Sequence, residues 1–79
     1  MTKTELFRRL ELLQEVIAHS RGLGYFNVWQ LMCLHQERSS IYAAIEEIDT
    51  TEEEAATPEY KIPEHLEKRL RRVADDFRL

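Results

Sequence analysis

The sequence predicts a small all-α domain of three helices. Two capping boxes, apolar residues recurring at helical spacing, and a long stretch without helix breakers point to it. The 79 residues include only two glycines and two prolines, and both glycines fall in one stretch, Arg21 to Phe26.

The first helix is expected over residues 3–21. Thr2 and Glu5 have the spacing at which each side chain satisfies an orphan amide at a helix start. Leu6, Leu10, Leu13, Ile17 and Ser20 then share one stripe, with Arg8, Glu11, Glu15 and His19 opposite. Gly22 is placed to end the helix in a left-handed turn, and His19 lies near the negative pole of the helix dipole.

Asn27 and Gln30 repeat the capping spacing, so a second, longer helix is expected over residues 28–48, where no Gly or Pro occurs. Leu31, Leu34, Ile41, Tyr42, Ile45 and Ile48 gather on one side of it at about 100° per residue. Arg38 falls in the middle of that stripe. The other side carries Trp29, Met32, Cys33, Ala43 and Ala44, where a surface helix is ordinarily polar, so this helix is expected to lie between neighbours. A break before Ser39 would relieve Arg38 and make residues 29–48 a helix-turn-helix-like segment, Ser39 to Tyr42 opening its recognition helix. The absence of Gly or Pro at that turn, Gln36 where an apolar residue belongs, and the acids Glu46, Glu47 and Asp49 favour an unbroken helix.

Residues 49–61 have no apolar period and are expected to form an acidic, solvated, flexible connector. Pro63 suits the first turn of a third helix over residues 63–77, with Glu64 and Glu67 near its positive end. Ile62, Leu66, Leu70, Val73 and Phe77 make the cleanest stripe in the chain. The basic residues of helix 63–77 suggest nucleic-acid binding. However, Glu64 and Lys68, Glu67 and Arg71, Arg71 and Asp75, and Arg72 and Asp76 lie four apart, so most of these cations are expected to be paired.

Net charge is −4. Residues 46–60 hold seven acids and no base, whereas residues 61–79 hold six bases against four acids. That balance argues against a polyanion as the principal partner. Cys33 is the only cysteine, so no intrachain disulfide forms. On a helix, Cys33 and His35 diverge by about 200° and do not chelate one ion. His19 and His65 sit on separate helices; no metal and no cofactor are expected. No nucleophile, base and orienting group come together in the sequence, so an enzyme is not expected and Cys33 reads as structural. The longest apolar run, Leu31 to Leu34, falls far short of the ~20 residues that span a bilayer, and the start of the chain is charged throughout. A cytoplasmic protein with no membrane segment is the expectation.

The stretch TKTELFRRLELLQ (Thr2 to Gln14) and the later YKIP (Tyr60 to Pro63) are similar to the two ends of the Hha-type nucleoid modulators. That resemblance implies a small helical protein acting through another DNA-associated protein. It covers under a quarter of the chain, and the central residues depart from that family's pattern.

A single core below ~80 residues rarely leaves more than ~3 to 5 kcal/mol of net stability without staples. With disulfide and metal missing from the sequence, a partner is the remaining support. The expectation is therefore a protein–protein interaction module, a regulator or inhibitor that binds a protein partner or self-associates, most simply as a homodimer. Trp29 and Met32, with Tyr25 or Phe26, are the expected anchors, because aromatic residues dominate contact hot spots. Two other readings remain. One is a DNA-associated regulator using segment 29–48 or helix 63–77. The other is an acidic surface (Glu46, Glu47, Glu52, Glu53, Glu54) that imitates a phosphate track.

Overall fold

The computed structural model describes residues 1–48 and 55–79. Within them the chain forms three helices, α1 (Lys3–Ser20), α2 (Val28–Glu47) and α3 (Glu64–Asp76). Among the described residues there is no strand, only an isolated antiparallel bridge between Thr2 and Ala55. Among the described residues no helix is long and apolar enough to cross a membrane. Each helix stops one residue before its expected C-terminal bound.

Both capping boxes form. The Glu5 amide donates to Thr2 Oγ1 at 3.3 Å, and the Thr2 amide to Glu5 Oε1 at 3.3 Å. At α2 the Gln30 amide donates to Asn27 Oδ1 at 2.8 Å, with the reciprocal bond at 3.0 Å. Pro63 stands at the N-cap of α3 rather than inside it, and its carbonyl accepts from the Leu66 and Glu67 amides. Gly22 closes α1 with φ +76°, which only glycine adopts without strain, and the Leu23 amide reaches the Ser20 carbonyl at 3.1 Å.

α1 packs against both other helices. Its stripe Leu6, Leu10, Leu13 and Ile17 is buried together with Val16. The turn 21–27 returns the chain as α2. α3 runs in the same direction as α1: Glu67 meets Arg9 at one end, and the Phe77 ring meets the His19 ring at 5.4 Å at the other. Leu66, Leu70 and Val73 are buried and Phe77 is half-buried, as its pattern predicts.

α2 departs from its expected pattern. Its buried face is Cys33, Leu34, Glu37, Ile41 and Ala44, a stripe rotated so that Arg38 stands half-buried at the edge and Tyr42 is exposed. The rotation has a cause: Glu37, a residue that normally faces water, is neutralised in the interior. It also removes the conflict at Arg38, so no break before Ser39 is required. α2 runs unbroken through residues 36–40, and the helix-turn-helix reading is overturned.

The second half of the expected connector, residues 55–61, is exposed or half-buried as a solvated segment should be, but it is also fastened to the rest of the chain. The Met1 ammonium donates to the Ala56 carbonyl at 2.7 Å, the Ala56 amide to the Met1 carbonyl at 2.6 Å, and the Tyr60 amide to Ser40 Oγ at 2.8 Å. Ile62 is buried. The approach to α3 is thus fastened to α1 and α2, and α3 packs on its own domain. The expectation of a flexible connector at residues 49–54 lies outside the described residues.

Candidate functional site

At the junction of the three helices lies a charge cluster. The Arg9 guanidinium, from α1, donates through Nε to Glu37 Oε2 at 2.7 Å and through Nη2 to Glu37 Oε1 at 3.3 Å. Its other edge donates to both oxygens of Glu67, at 3.0 and 2.7 Å. Glu37, 3% exposed, also accepts the Ile62 amide at 3.1 Å. Exposed Arg71 adds a longer contact to Glu67 at 3.4 Å. Two cations thus face two carboxylates. Burial works to lower the Arg9 pKa, but hydrogen bonds and charge from Glu37 and Glu67 override it and hold the group above the ordinary arginine value. Each of the four groups directs its bonds to the others or to the backbone, so the cluster ties α1, α2 and the start of α3 together.

Beside it, the Cys33 thiol against the Tyr60 hydroxyl raises the phenol's pKa above the ordinary tyrosine value, with desolvation and the Glu37 charge adding to the effect. A phenol whose folded pKa is raised contributes stability fully present below the unfolded value of about 10 and lost as pH rises through the folded value. Alkaline titration should show stability beginning to fall at about pH 10 and falling further until the Tyr60 phenol of the folded protein ionises, a decline that Tyr60→Phe should remove. An alkaline stability profile unchanged in Tyr60→Phe would refute it.

A second region lies on the outside. Val28, Trp29 and Met32 are 76%, 55% and 63% exposed. Met32 lies four after Val28 and three after Trp29, so it borders both and joins them into one apolar face at the start of α2. Trp29 is not isolated from the rest of the molecule: its ring stacks on His65 of α3, with centroids 6.2 Å apart and planes 4° from parallel. His65 in turn lines an open cleft of about 480 Å³ together with Tyr25, Lys68, Arg69, Arg72 and Asp76. Arg69 Nη1 donates to the Tyr25 carbonyl at 2.9 Å, and the Tyr25 hydroxyl donates to Asp76 Oδ2 at 3.4 Å.

Of the four charge pairs expected along α3, only Glu67–Arg71 forms among the described residues. Glu67 is turned inward to Arg9, and Asp76 receives the Tyr25 hydroxyl instead of Arg72. Lys68 and Arg72 make no ion pair among the described residues. The outer face of α3 therefore carries more unneutralised positive charge than its sequence suggests.

Among the expected anchors, Trp29 and Met32 stand outward, and Tyr25 is half-buried with its ring edge-on to Phe77 at 5.9 Å. Phe26 is 8% exposed and part of the core, so it presents no surface to a partner. Glu46 and Glu47 are exposed, while Glu52, Glu53 and Glu54 lie outside the described residues. No group of three or more metal-ligating side chains occurs among the described residues. The Arg9 cluster was missed in the sequence, although Glu37 sits four after buried Cys33 and four before buried Ile41. A carboxylate in register with an apolar stripe is the signal that locates it. Comparisons with protein-family models, curated proteins and solved structures returned no match to this chain.

Proposed function

We propose that the protein is a small helical protein–protein interaction module, a regulator or inhibitor that presents the start of α2 to a protein partner or to a second copy of itself. The observation that carries this reading is the continuous apolar face of Val28, Trp29 and Met32, exposed on a helix whose other face is well buried. Single exposed apolar residues are ordinary, whereas contiguous bulky ones mark contact surfaces. Trp29 has the size and rigidity of a hot-spot anchor, and its stack on His65 holds the ring in place before any partner arrives.

Replacing Trp29 and Met32 together by alanine should weaken association by about tenfold or more, the usual consequence of truncating an anchor. Both side chains are more than half exposed, so the unfolding midpoint should hold. Light scattering on the pure protein and affinity capture from the source cell, read by mass spectrometry, report self-association and partner capture respectively. Both unchanged in the double variant would overturn the reading.

One observation favours a second reading, direct contact with DNA: Lys68 and Arg72 on α3, which make no ion pair among the described residues. Since α2 is unbroken, that contact would run through α3 alone. Its mark is duplex binding that collapses with rising salt.

A further inference from the structure

The apolar face alone makes a weak binding site. Val28, Trp29 and Met32 are already partly covered, so burying what remains returns less than full burial would against the freedom that association costs. Further attraction must come from what borders the face, and the stacked pair Trp29–His65 leads directly into the cleft of Lys68, Arg69 and Arg72. That cleft holds three permanent cations against one carboxylate, Asp76, on a molecule whose net charge is −4. Its sign is opposite to that of the whole protein, and Glu67, one residue before Lys68, is turned away from the cleft to Arg9.

We propose that the α2–α3 surface, Trp29 and Met32 together with Lys68, Arg69 and Arg72, binds an acidic amphipathic helix of a protein partner. The partner's apolar stripe covers Trp29 and Met32 while its carboxylates meet the cations of the cleft. This specifies the partner of the interaction module and rests on that reading. An acidic helix fits better than nucleic acid because of range. A duplex presents a phosphate every ~1.7 Å along its axis and meets the protein's whole negative field. A helix with a few carboxylates needs only the local charge, since attraction between exposed groups fades over about 8 to 10 Å at ordinary salt. The apolar face has an occupant in the same ligand, which a phosphate backbone does not supply. Lys68 and Arg72 are exposed and project from α3, whereas Arg69 is tied to the Tyr25 carbonyl and holds the cleft wall.

The test uses the full chain and three probes: a synthetic amphipathic helix of leucine and glutamate, the same peptide with lysine for each glutamate, and a short DNA duplex. Trp29 is the only tryptophan, so its fluorescence reports occupancy directly. The acidic peptide is expected to bind at least about tenfold more tightly than the lysine peptide, and to lose about that factor in K68E/R72E. The reversed cleft of K68E/R72E should in turn accept the lysine peptide. Circular dichroism of that variant should be unchanged, since both residues are exposed. W29A, followed through a dye on the peptide, separates the two claims. If W29A weakens peptide binding and K68E/R72E does not, the acidic preference is wrong while the apolar docking face stands. If neither variant weakens it, both are wrong. Equal binding of the two peptides, or displacement of the acidic peptide by the duplex at physiological salt, would overturn the proposal.

Discussion

Alanine in place of Arg9 should leave the protein largely unfolded at room temperature, with a urea midpoint close to zero by far-UV circular dichroism. Without the guanidinium, Glu37, 3% exposed in the intact fold, keeps only the Ile62 amide as partner, and Glu67 loses its bidentate partner. Removing one partner of a buried pair costs about 3 to 5 kcal/mol, because the remaining charge is left without compensation. A chain of this length has roughly 4 to 12 kcal/mol in all, and a lone small core lies near the lower end. The loss therefore approaches the whole. A control separates uncompensated charge from lost packing. Arg9→Met with Glu37→Gln and Glu67→Leu removes every charge except that of Arg71 while keeping an acceptor for the Ile62 amide, and it should recover much of the stability. If Arg9→Ala costs only the ~1 kcal/mol of an exposed pair, the cluster is not the fastening described above.

α1 and α3 were legible in the sequence because their buried faces contain nearly nothing but apolar residues, and two capping boxes marked where α1 and α2 begin. α2 was legible in extent but not in orientation. Periodicity treats every carboxylate as outward-facing, and Glu37 is the residue for which that fails. Once Glu37 is placed inside, Cys33 and Ala44 join the core, Tyr42 leaves it and Arg38 no longer calls for a break. The register of Glu37 between Cys33 and Ile41 is the only local sign; its partner is 28 residues away on α1, and the second carboxylate is 58 residues from Arg9.

The candidate site divides in the same way. Trp29 and Met32 stood out as bulky residues on a face that should be polar. Their connection to the basic cleft could not be read, because it depends on which acids are diverted. Glu67 and Asp76 have suitable helical spacing for Arg71 and Arg72, yet the tertiary fold turns Glu67 to Arg9, leaving Arg71 a single longer contact, and gives Asp76 the Tyr25 hydroxyl. Pairs on an exposed helix are worth only ~0.2 to 0.5 kcal/mol, so a bidentate, partly buried arginine easily outcompetes them.

Leu66→Ala tests whether docking of α3 is what completes the domain. Leu66 is fully buried on the first turn of α3, directly before Glu67. Its truncation removes packing and leaves a cavity, at an expected cost of about 2 to 5 kcal/mol. The value should fall in the upper half of that range, because a cavity beside a charge cluster cannot collapse without displacing the Glu67 carboxylate from Arg9. α3 has 13 residues, and isolated helices shorter than ~12 to 15 residues are marginal in water. Its helicity therefore depends on the dock, and in Leu66→Ala its amides should lose protection against hydrogen exchange before those of α1 and α2. Glu67→Gln combined with Leu66→Ala should cost less than the two losses added, since both act through the same contact. A loss of less than about 1 kcal/mol, the range of an exposed substitution, with α3 amides still protected, would mean that α3 is held chiefly by contacts other than Leu66 and the Arg9 cluster.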